Sequence, residues 1–445
     1  MSRAARLSGF PEWTPAERVV ERYVIDELER EFSLHGFAEI ETRAVEPVQV
    51  LAGDSDAAKE IYALTRLAEP GKTPKMGLHF DLTVPFARYV AEHQADLAFP
   101  FRRFQIQKVW RGERPQEGRY REFYQADIDV VGRETLPEHV DAEVAIVMAK
   151  ALARLPIPPV LMRVNDRRLV EAFYRGVGVA DVNSALRSVD KLAKIGADGV
   201  DKELASQDVT DAQAESIIAL AGIDGQGASV ASQVRALWES ADLADGADED
   251  ALNVGLTALE SFVEQVNEAQ PGAAVIDLKI ARGLDYYTGV VVETFLEGHE
   301  DLGSICSGGR YDSLVAGGGF PGVGMSIGVS RLVARMLSAE LVAATRPVPT
   351  VVVVAVTDEG TRSRSVEVAE ALRARGISAE VSPSAAKFGK QIQFAERRGI
   401  PFVWFPGEDG DEVKDIRSGD QVSASADSWT PPTDDMHPRV VERNV

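Results

Sequence analysis

Residues 101–121 carry a dense run of basic side chains in an otherwise acidic protein. Arginine presents a planar fork of donors that fits phosphate and carboxylate oxygens, and the nearby Phe123 offers a face for stacking on a base. A solvated hairpin with Arg–Glu pairs is the simpler interpretation of any single arginine, but the whole string favours a nucleotide site. The run contains two acidic residues, Glu113 and Glu117. Its seven basic residues are Arg102, Arg103, Lys108, Arg111, Arg114, Arg119 and Arg121.

Two later segments combine glycines with aromatic and charged residues. Residues 282–289 read Arg282-Gly-Leu-Asp-Tyr286-Tyr287-Thr-Gly, and residues 307–312 read Ser-Gly-Gly-Arg-Tyr-Asp. Glycine weakens a strand unless a ligand or another backbone must come close. A tyrosine pair beside an arginine is suited to wall a small pocket, although Tyr-Tyr in a strand is usually one core and one surface residue.

A glycine-rich run at residues 317–328 leads into a segment that bears Arg331. Such an approach to a helix is suited to hold an anion. The run lacks the Lys-Ser/Thr ending of a P-loop and the spacing of a dinucleotide-binding fold, so by itself it is a weak signal.

The histidines and the cysteine argue against a dedicated metal site. None of the six histidines forms a His-x-x-x-His pair, and the single cysteine, Cys306, excludes an intramolecular disulfide and a cysteine-rich zinc site. A reducing cytoplasm is the expected location. Apolar runs such as residues 351–356 are far shorter than the ~18 residues of a membrane span, so we expect neither a membrane anchor nor a signal peptide.

Length and charge limit the number of domains and the kinds of partner to be expected. Its 445 residues exceed what one hydrophobic core usually holds and predict two or three domains. The net charge of −22, from 48 basic and 70 acidic residues, argues against a broadly nucleic-acid-binding surface. A local basic patch can still bind such a partner.

The elements that must position these residues follow from hydrophobic spacing and from helix and strand breakers. Residues 167–270, rich in Ala, Asp, Glu and Ser and broken by glycines, predict an inserted helical domain. The flanking segments predict helices at 15–33, 138–153 and 329–344, strands at 37–42, 78–83, 160–164, 275–280 and 289–295, and an antiparallel hairpin from 101–111 and 123–131.

The C-terminal part alternates strands with helices, which indicates a small α/β domain. The last residues, from Trp429, are rich in Pro and Asp and are expected to be loosely held. The strands are predicted at 351–356, 377–381 and 402–405, and the helices at 361–375 and 387–398. The division we expect is residues 1–166 with 271–344, an insertion at 167–270, the α/β domain at 350–428 and a tail at 429–445.

These segments, in this order and with this tail, resemble the class II aminoacyl-tRNA synthetases and specifically the histidyl-tRNA synthetase family. Residues 15–47 look like motif 1, the dimer-forming element, the hairpin looks like motif 2, and residues 324–332 look like motif 3. Residues 282–287 and 308–312 look like the two segments peculiar to the histidine enzyme. The resemblance implies an α+β catalytic domain on a mixed, mainly antiparallel sheet, a helical insertion and a C-terminal α/β anticodon-binding domain.

The resemblance also implies roles for individual residues. Arg282 and Arg111 are expected to act at the reacting α-phosphate, and Gln116 is expected to approach the tRNA acceptor end. Histidine binding is expected from Asp81, Thr83, Arg111, Gln125, Asp129, Tyr286 and Tyr287, with Asp129 accepting a hydrogen bond from the imidazole. ATP binding is expected from Arg111, Glu113, Arg119, Phe123 and Arg331.

The implied reaction joins histidine and ATP into histidyl-adenylate, releases pyrophosphate and passes histidine to the 3′ end of histidine tRNA. ATP is expected to act with Mg²⁺, whose protein ligands are left unassigned, and the chain is expected to form a homodimer. Two positions depart from common family patterns. Ser330 stands where a glutamate often precedes Arg331, and Asp81-Leu-Thr83 stands where many bacterial members have Glu-Gly-Thr.

Three alternatives remain at this point. A synthetase-like regulatory subunit would bind histidine without charging tRNA, but it is expected to lack Arg282 and the α/β tail. A synthetase for proline or threonine is expected to lack the Arg-Gly-Leu-Asp-Tyr-Tyr segment and Asp129. A plain nucleotide-binding module is the third. No editing domain is assigned, because a pocket that pairs both imidazole nitrogens can reject analogues by ~10⁴-fold.

Overall fold

The computed structural model describes residues 7–52, 59–68, 71–280, 287–312, 315 and 318–443. The chain divides into two compact units. The first comprises Met1–Pro11 with Ile25–Ala334, and the second comprises Glu12–Val24 with Arg335–Val445. Every helix in the described ranges is too short or too polar to cross a membrane.

A nine-stranded sheet forms the centre of the first unit, in the order β1-β5-β6-β12-β11-β10-β7-β9-β8. Only the β1–β5 and β7–β9 pairs are parallel, so the sheet is mixed and mainly antiparallel, as expected. A separate small sheet has the order β2-β4-β3. The strands are β1 (Ala38–Glu39), β2 (Val45–Pro47), β3 (Ala63–Leu64), β4 (Met76–Leu78), β5 (Phe101–Trp110), β6 (Glu122–Val131), β7 (Val160–Asp166), β8 (Asp224–Gly225), β9 (Ala274–Asp277), β10 (Val290–Leu296), β11 (Cys306–Tyr311) and β12 (Gly322–Gly328).

Helices cover the sheet and fill the predicted insertion. Several of them begin with a side-chain cap. For example, Asp248 accepts a hydrogen bond from the Ala251 backbone, and Thr210 forms a capping box with Gln213. The helices are α1 (Pro15–Leu34), α2 (Val48–Ala52), α3 (Thr83–His93), α4 (His139–Ala153), α5 (Arg167–Gly176), α6 (Val182–Val189), α7 (Leu192–Ala205), α8 (Asp211–Ala221), α9 (Gly227–Ser240), α10 (Glu249–Ala269) and α11 (Val329–Ser338). A short 3₁₀ turn spans Glu300–Leu302.

Strand β6 shows how the sequence separates core from site. Ala126, Ile128 and Val130 alternate along the strand and are fully buried. Helix α4 packs against β6 and β12. The intervening residues therefore point to the opposite face of the sheet, as the two-residue period of a strand requires.

The second unit contains a five-stranded sheet in the order β15-β14-β16-β17-β18 and a two-stranded β13–β19 pair. Strand β14 runs parallel to β15 and β16, and α12 packs on β14 and β15. This arrangement confirms the expected α/β tail. Its elements are β13 (Val342–Ala344), β14 (Val352–Val354), α12 (Arg362–Ala374), β15 (Ala379–Val381), α13 (Phe388–Arg397), β16 (Phe402–Phe405), β17 (Asp411–Asp415), β18 (Gln421–Ala424) and β19 (Val440–Glu442), with 3₁₀ turns at Glu359–Thr361 and Thr433–Asp435.

Several expectations from the sequence were wrong. The predicted strands at 37–42 and 275–280 are confined to Ala38–Glu39 and Ala274–Asp277. The predicted strand at residues 78–83 ends at Leu78, and helix α3 begins at Thr83. The predicted helix at 329–344 ends at Ser338, and residues 342–344 form β13. The tail is not loosely held: β19 pairs with β13, and the Trp429 ring packs edge-on against Phe402 and Trp404 at 5.3 and 5.6 Å.

Candidate active site

One face of the central sheet presents polar residues in transverse rows. The register places Gln105, Asp127, Ser326 and Ser307 side by side on β5, β6, β12 and β11. The next row on the same face contains Arg103, Asp129, Gly324 and Gly309. Because side chains two residues apart share a face, Gln125, Asp127 and Asp129 of β6 all point to this side.

A cavity of about 390 Å³ opens over this face, a size that suits a small ligand. We call it the carboxylate cavity. Its described lining includes three aspartates together with a hydroxyl, an amide and a tyrosine: Asp81, Asp127, Asp129, Thr83, Gln125 and Tyr287. Arg111 also lines this cavity. The cavity therefore contains every predicted histidine-binding residue that lies within the described ranges.

Asp129 is fixed at the floor of the carboxylate cavity. Its Oδ2 lies 2.6 Å from Arg103 Nη2, and its Oδ1 accepts a hydrogen bond from the Tyr311 hydroxyl at 2.7 Å. Burial raises the pKa of Asp129, while Arg103 and the Tyr311 hydroxyl act in the opposite direction. Each carboxylate oxygen has a second lone pair, so Asp129 can accept a further hydrogen bond from a ligand.

Glycines on β11 and β12 allow this arrangement because they have no side chains. A Cβ on Gly324 would lie 2.0 Å from Asp129 Oδ1, and a Cβ on Gly309 would lie 2.9 Å from the Tyr287 ring. The glycines of β11 and β12 therefore leave the space that the aspartate and the tyrosine occupy.

Asp81 lies at the start of α3, on the opposite wall. Its Oδ1 accepts a hydrogen bond from the Val84 backbone N–H at 3.2 Å in the first turn of the helix. Removal from water raises the pKa of Asp81 to about 6, although Arg111 and Arg103 favour the charged form. The helix start explains why residues 79–83 are not a strand, since Asp81 gives the helix a local partner for its free donors.

A second cavity adjoins the first, and we call it the arginine cavity. It is lined by Arg111, Arg119, Arg331, Phe123 and Glu113, which are the five predicted ATP-binding residues. Arg111 Nε donates to the Phe80 carbonyl at 2.9 Å, and its guanidinium lies 5.1 Å from the centre of the Phe123 ring. Arg331 donates to the carbonyls of Gly118 and Ser304 at 3.0 and 2.5 Å. These contacts hold the two guanidinium groups in place.

The two cavities share part of their walls. Arg111, Gln125, Ser307 and Ser326 line both. A ligand in the carboxylate cavity and a ligand in the arginine cavity therefore meet at these four side chains.

The remaining predicted residues are placed as follows. Gln116 is exposed at the tip of the β5–β6 hairpin, where its backbone pairs with that of Arg119. The hydroxyl of Ser330 is buried and accepts a hydrogen bond from the Tyr124 backbone N–H at 2.9 Å, so it ties α11 to β6. Arg282 and Tyr286 lie outside the described residues.

Sequence reasoning missed Arg103, Asp127 and Ser326. Asp127 stands between Gln125 and Asp129 in a two-residue alternation, and this spacing was the available signal. Arg103 was named only as part of the basic cluster. Its burial depends on the sheet register, which the sequence of one strand does not specify.

Comparisons with known proteins identify the family of the chain. The family model described as histidyl-tRNA synthetase matches residues 9–332, and the model of the anticodon binding domain matches residues 350–428. The histidine–tRNA ligases of Micrococcus luteus and Cutibacterium acnes are each 54% identical to this chain, over 99% of both sequences in each case.

Solved structures share the fold. The chain is similar to the crystal structure of histidyl-tRNA synthetase from Nostoc sp. PCC 7120, with a TM-score of 0.82 and 36% identity over 96% of this chain and 98% of that chain. An ATP phosphoribosyltransferase regulatory subunit/histidyl-tRNA synthetase from Bacillus halodurans C has the same fold at 21% identity, with a TM-score of 0.69 over 87% of this chain and 94% of that chain. From the matched length of the family model and the identity of these relatives, the chain belongs to the histidyl-tRNA synthetase family.

Proposed function

We propose that the two adjoining cavities hold the two substrates of histidine activation, the first half of the histidine–tRNA ligase reaction. The chain is a histidine–tRNA ligase. Histidine occupies the carboxylate cavity, and ATP occupies the arginine cavity. The observation that carries this assignment is that Arg111 lines both cavities, where it can contact the histidine carboxylate and the α-phosphate together.

The carboxylate cavity suits histidine because its charge complements a cationic amino group and a polar ring. In our assignment, Asp81, Thr83 and Gln125 bind the α-ammonium group. Asp129 accepts a hydrogen bond from the imidazole, and Tyr287 forms a wall beside the ring. A wrong amino acid would leave these buried polar groups unpaired, which is a strong basis for selectivity.

The arginine cavity suits a triphosphate. In our assignment, Phe123 stacks on the adenine, and Arg119 and Arg331 bind the outer phosphates. The histidine carboxylate oxygen attacks the α-phosphorus, the bond to the bridging oxygen breaks, and pyrophosphate leaves. Two anions must approach each other, so fixed guanidinium groups lower the barrier by neutralising charge and by orientation. Arg282 is proposed to act at the same phosphorus.

Mg²⁺ fits this site as an ion held mainly by the substrate. No group of three or more acidic, histidine or cysteine side chains is placed for a metal among the described residues. Glu113 is the single carboxylate among the described residues that line the arginine cavity. Because Mg²⁺ binds nucleotides through one or two carboxylates and the phosphates themselves, Glu113 is the residue that would hold it. When bound, the ion would neutralise charge on the phosphates.

In the second half-reaction, the terminal ribose hydroxyl of histidine tRNA attacks the carbonyl carbon of the adenylate. The bond to the phosphate oxygen breaks, and the released phosphate group can take the proton. The exposed position of Gln116 at the hairpin tip supports a contact with the acceptor end. The anticodon-binding domain at residues 350–428 supports a second contact with the same tRNA.

We further propose that the enzyme is a cytoplasmic homodimer. The resemblance of residues 15–47 to motif 1 supports the dimer, and so does the exposure of Leu34 at the end of α1. The single cysteine, Cys306, is free and buried, which suits a reducing compartment. Light scattering on the purified protein tests the dimer, and a monomer at micromolar concentration would contradict it.

Exchange of labelled pyrophosphate into ATP tests the activity. We expect exchange that depends on histidine and on no other amino acid, followed by charging of histidine tRNA. Histidine binding without exchange would favour a regulatory role, and exchange with proline or threonine would overturn the assignment of the carboxylate cavity.

The domain division expected from the sequence remains a proposal. In it, residues 1–166 and 271–344 form the catalytic domain, residues 167–270 are inserted, and residues 429–445 follow the anticodon-binding domain. The match of the anticodon-domain model to residues 350–428 supports the last boundary.

A further inference from the structure

We propose that Asp127 is a positioning residue that sets which end of the Gln125 amide faces the α-ammonium group of histidine. It acts through the hydroxyl of Ser326. This inference rests on the proposed placement of histidine in the carboxylate cavity and adds a residue to which no role has been assigned.

The three side chains form a short chain of hydrogen bonds. Ser326 Oγ lies 2.5 Å from Asp127 Oδ1 and donates to it. Gln125 Nε2 donates to Ser326 Oγ at 2.7 Å. At its other end, Gln125 Oε1 lies 3.4 Å from Arg111 Nη2. The chain therefore runs from Asp127 to the residues shared by the two cavities.

The direction of every donor in this chain follows from the carboxylate. Burial raises the pKa of Asp127 to about 7, so its carboxylate form prevails above that pH. An ionised carboxylate only accepts hydrogen bonds, so in this form the single proton of the Ser326 hydroxyl is committed to Asp127. The Ser326 oxygen is then left as an acceptor and is satisfied by the amide NH₂ of Gln125. The carbonyl oxygen of Gln125 is consequently turned away from Ser326, where it can accept from Arg111 and from an ammonium group.

Burial makes this orientation matter. Asp127 is 2% exposed and Gln125 is 8% exposed, so water does not readily replace a lost partner. With the amide reversed, the NH₂ group would face the ammonium of histidine, and two donors would then oppose each other. A buried donor without an acceptor is costly, so the reversed amide would bind the amino group poorly.

Asp127 would not be needed if its only contribution were negative charge in the cavity. Asp81 and Asp129 already line the same cavity. A direct effect of the Asp127 charge on the ammonium would act whether or not Ser326 is present. An effect through the hydrogen-bond chain from Asp127 through Ser326 to Gln125, which we call the relay, requires the Ser326 hydroxyl. This difference separates the two explanations.

Two histidine analogues report on the amino group separately. Histidinol keeps the ammonium and the imidazole, whereas imidazolepropionate keeps the imidazole and the carboxylate but has no amino group. Their dissociation constants are measured by calorimetry on the full-length enzyme, at a pH above 7 where Asp127 is mainly ionised. The wild-type protein must bind both and must catalyse histidine-dependent exchange. Failure of that step would overturn the proposed function rather than the relay.

Asp127→Asn introduces an amide that can donate to Ser326 and so reverse the chain. We expect histidinol to bind about 10- to 100-fold more weakly, the range for a hydrogen bond to a charged group. Imidazolepropionate is expected to bind within about 2-fold of wild type, because it does not use the carbonyl of Gln125. Asp129→Asn is the contrasting variant, since it is expected to weaken both analogues through the imidazole.

Ser326→Ala cuts the chain and supplies an independent test should Asp127→Asn fail to fold. It is expected to weaken histidinol selectively, by about 5-fold or more, because the Gln125 amide loses its anchor. In the Ser326→Ala background, Asp127→Asn is expected to add less than about 2-fold. Equal weakening of both analogues, no selective loss in either single variant, or an undiminished effect of Asp127→Asn in that background would each overturn the relay.

Discussion

Arg103 and Asp129 form a buried ion pair beneath the carboxylate cavity, with 2.6 Å between Arg103 Nη2 and Asp129 Oδ2. The two residues face each other in register on β5 and β6, and their side chains are 0% and 3% exposed. The guanidinium also lies 4.3 Å from the centre of the Phe86 ring. The carboxylate proposed to recognise imidazole is thus held from behind by a residue that does not line the cavity.

Arg103→Met is expected to lower the free energy of unfolding by about 3–5 kcal/mol, because it leaves the Asp129 charge buried without its cation. Urea denaturation measures this loss. Arg103→Met with Asp129→Asn is expected to regain most of the stability but not histidine activation, since the imidazole acceptor is then missing. A single variant as stable as wild type would show that the pair does not hold Asp129 in place.

The pH dependence of histidine binding is expected to include a contribution from Asp81. Its pKa is raised to about 6, chiefly by burial. The carboxylate must be ionised to bind the ammonium, so the KM for histidine is expected to rise as the pH falls through about 6. Stability follows the opposite trend: a raised carboxyl pKa favours the folded state at low pH, and this contribution is lost as the pH rises through about 6.

Asp81→Asn is the control for this profile. Pyrophosphate exchange is measured between pH 5 and 8, where the imidazole of the substrate also titrates, at about pH 6.5. The variant has a high KM throughout and retains the contributions of the substrate and of Asp127, whose pKa burial raises to about 7. If the profiles of the two proteins differ by a constant factor at every pH, Asp81 does not titrate in this range.

Gly324→Ala is expected to reduce histidine activation by at least about 100-fold, because the added Cβ would lie 2.0 Å from Asp129 Oδ1 and displace it. The loss should fall on the KM for histidine more than on the KM for ATP. Gly389→Ala is the matched control, since nothing lies within 4 Å of a Cβ at that exposed position. Normal exchange in Gly324→Ala would mean that Asp129 has room to move without consequence.

Arg282→Ala is expected to abolish exchange while the protein remains folded and still binds histidine. The guanidinium is proposed to act at the α-phosphate, where removal of a fixed charge typically costs about 10²- to 10³-fold in rate. Exchange kinetics and calorimetric histidine binding separate the two effects. Unchanged exchange would remove the role proposed for this residue.

Strong local periodicity made the hairpin predictable. Strands 101–111 and 123–131 were expected from their alternation, and β5 (Phe101–Trp110) and β6 (Glu122–Val131) match them closely. The α/β tail was predictable for the same reason, since its strands are short, apolar and separated by helical spacing.

Other features depended on contacts that local patterns do not encode. The segment around Asp81 alternates like a strand, yet a hydrogen bond to the Val84 backbone starts a helix there. Trp429 seemed part of a polar tail, and its order comes from Phe402 and Trp404. Arg103 was one arginine in a basic cluster until the register placed it opposite Asp129. Tertiary contacts decided the outcome for Trp429 and Arg103, and a local side-chain hydrogen bond decided it for Asp81.

The wall shared by the two cavities also limits how the enzyme can be redesigned. Arg111, Gln125, Ser307 and Ser326 belong to both, so a change that reshapes one ligand's surroundings reshapes the other's. Any resulting linkage between the affinities for amino acid and nucleotide must be reciprocal. Altered specificity, for example toward a methylated histidine, is therefore best sought at Tyr287 and Tyr311, which line the carboxylate cavity alone. A change at these two residues leaves the side chains that line the arginine cavity unaltered.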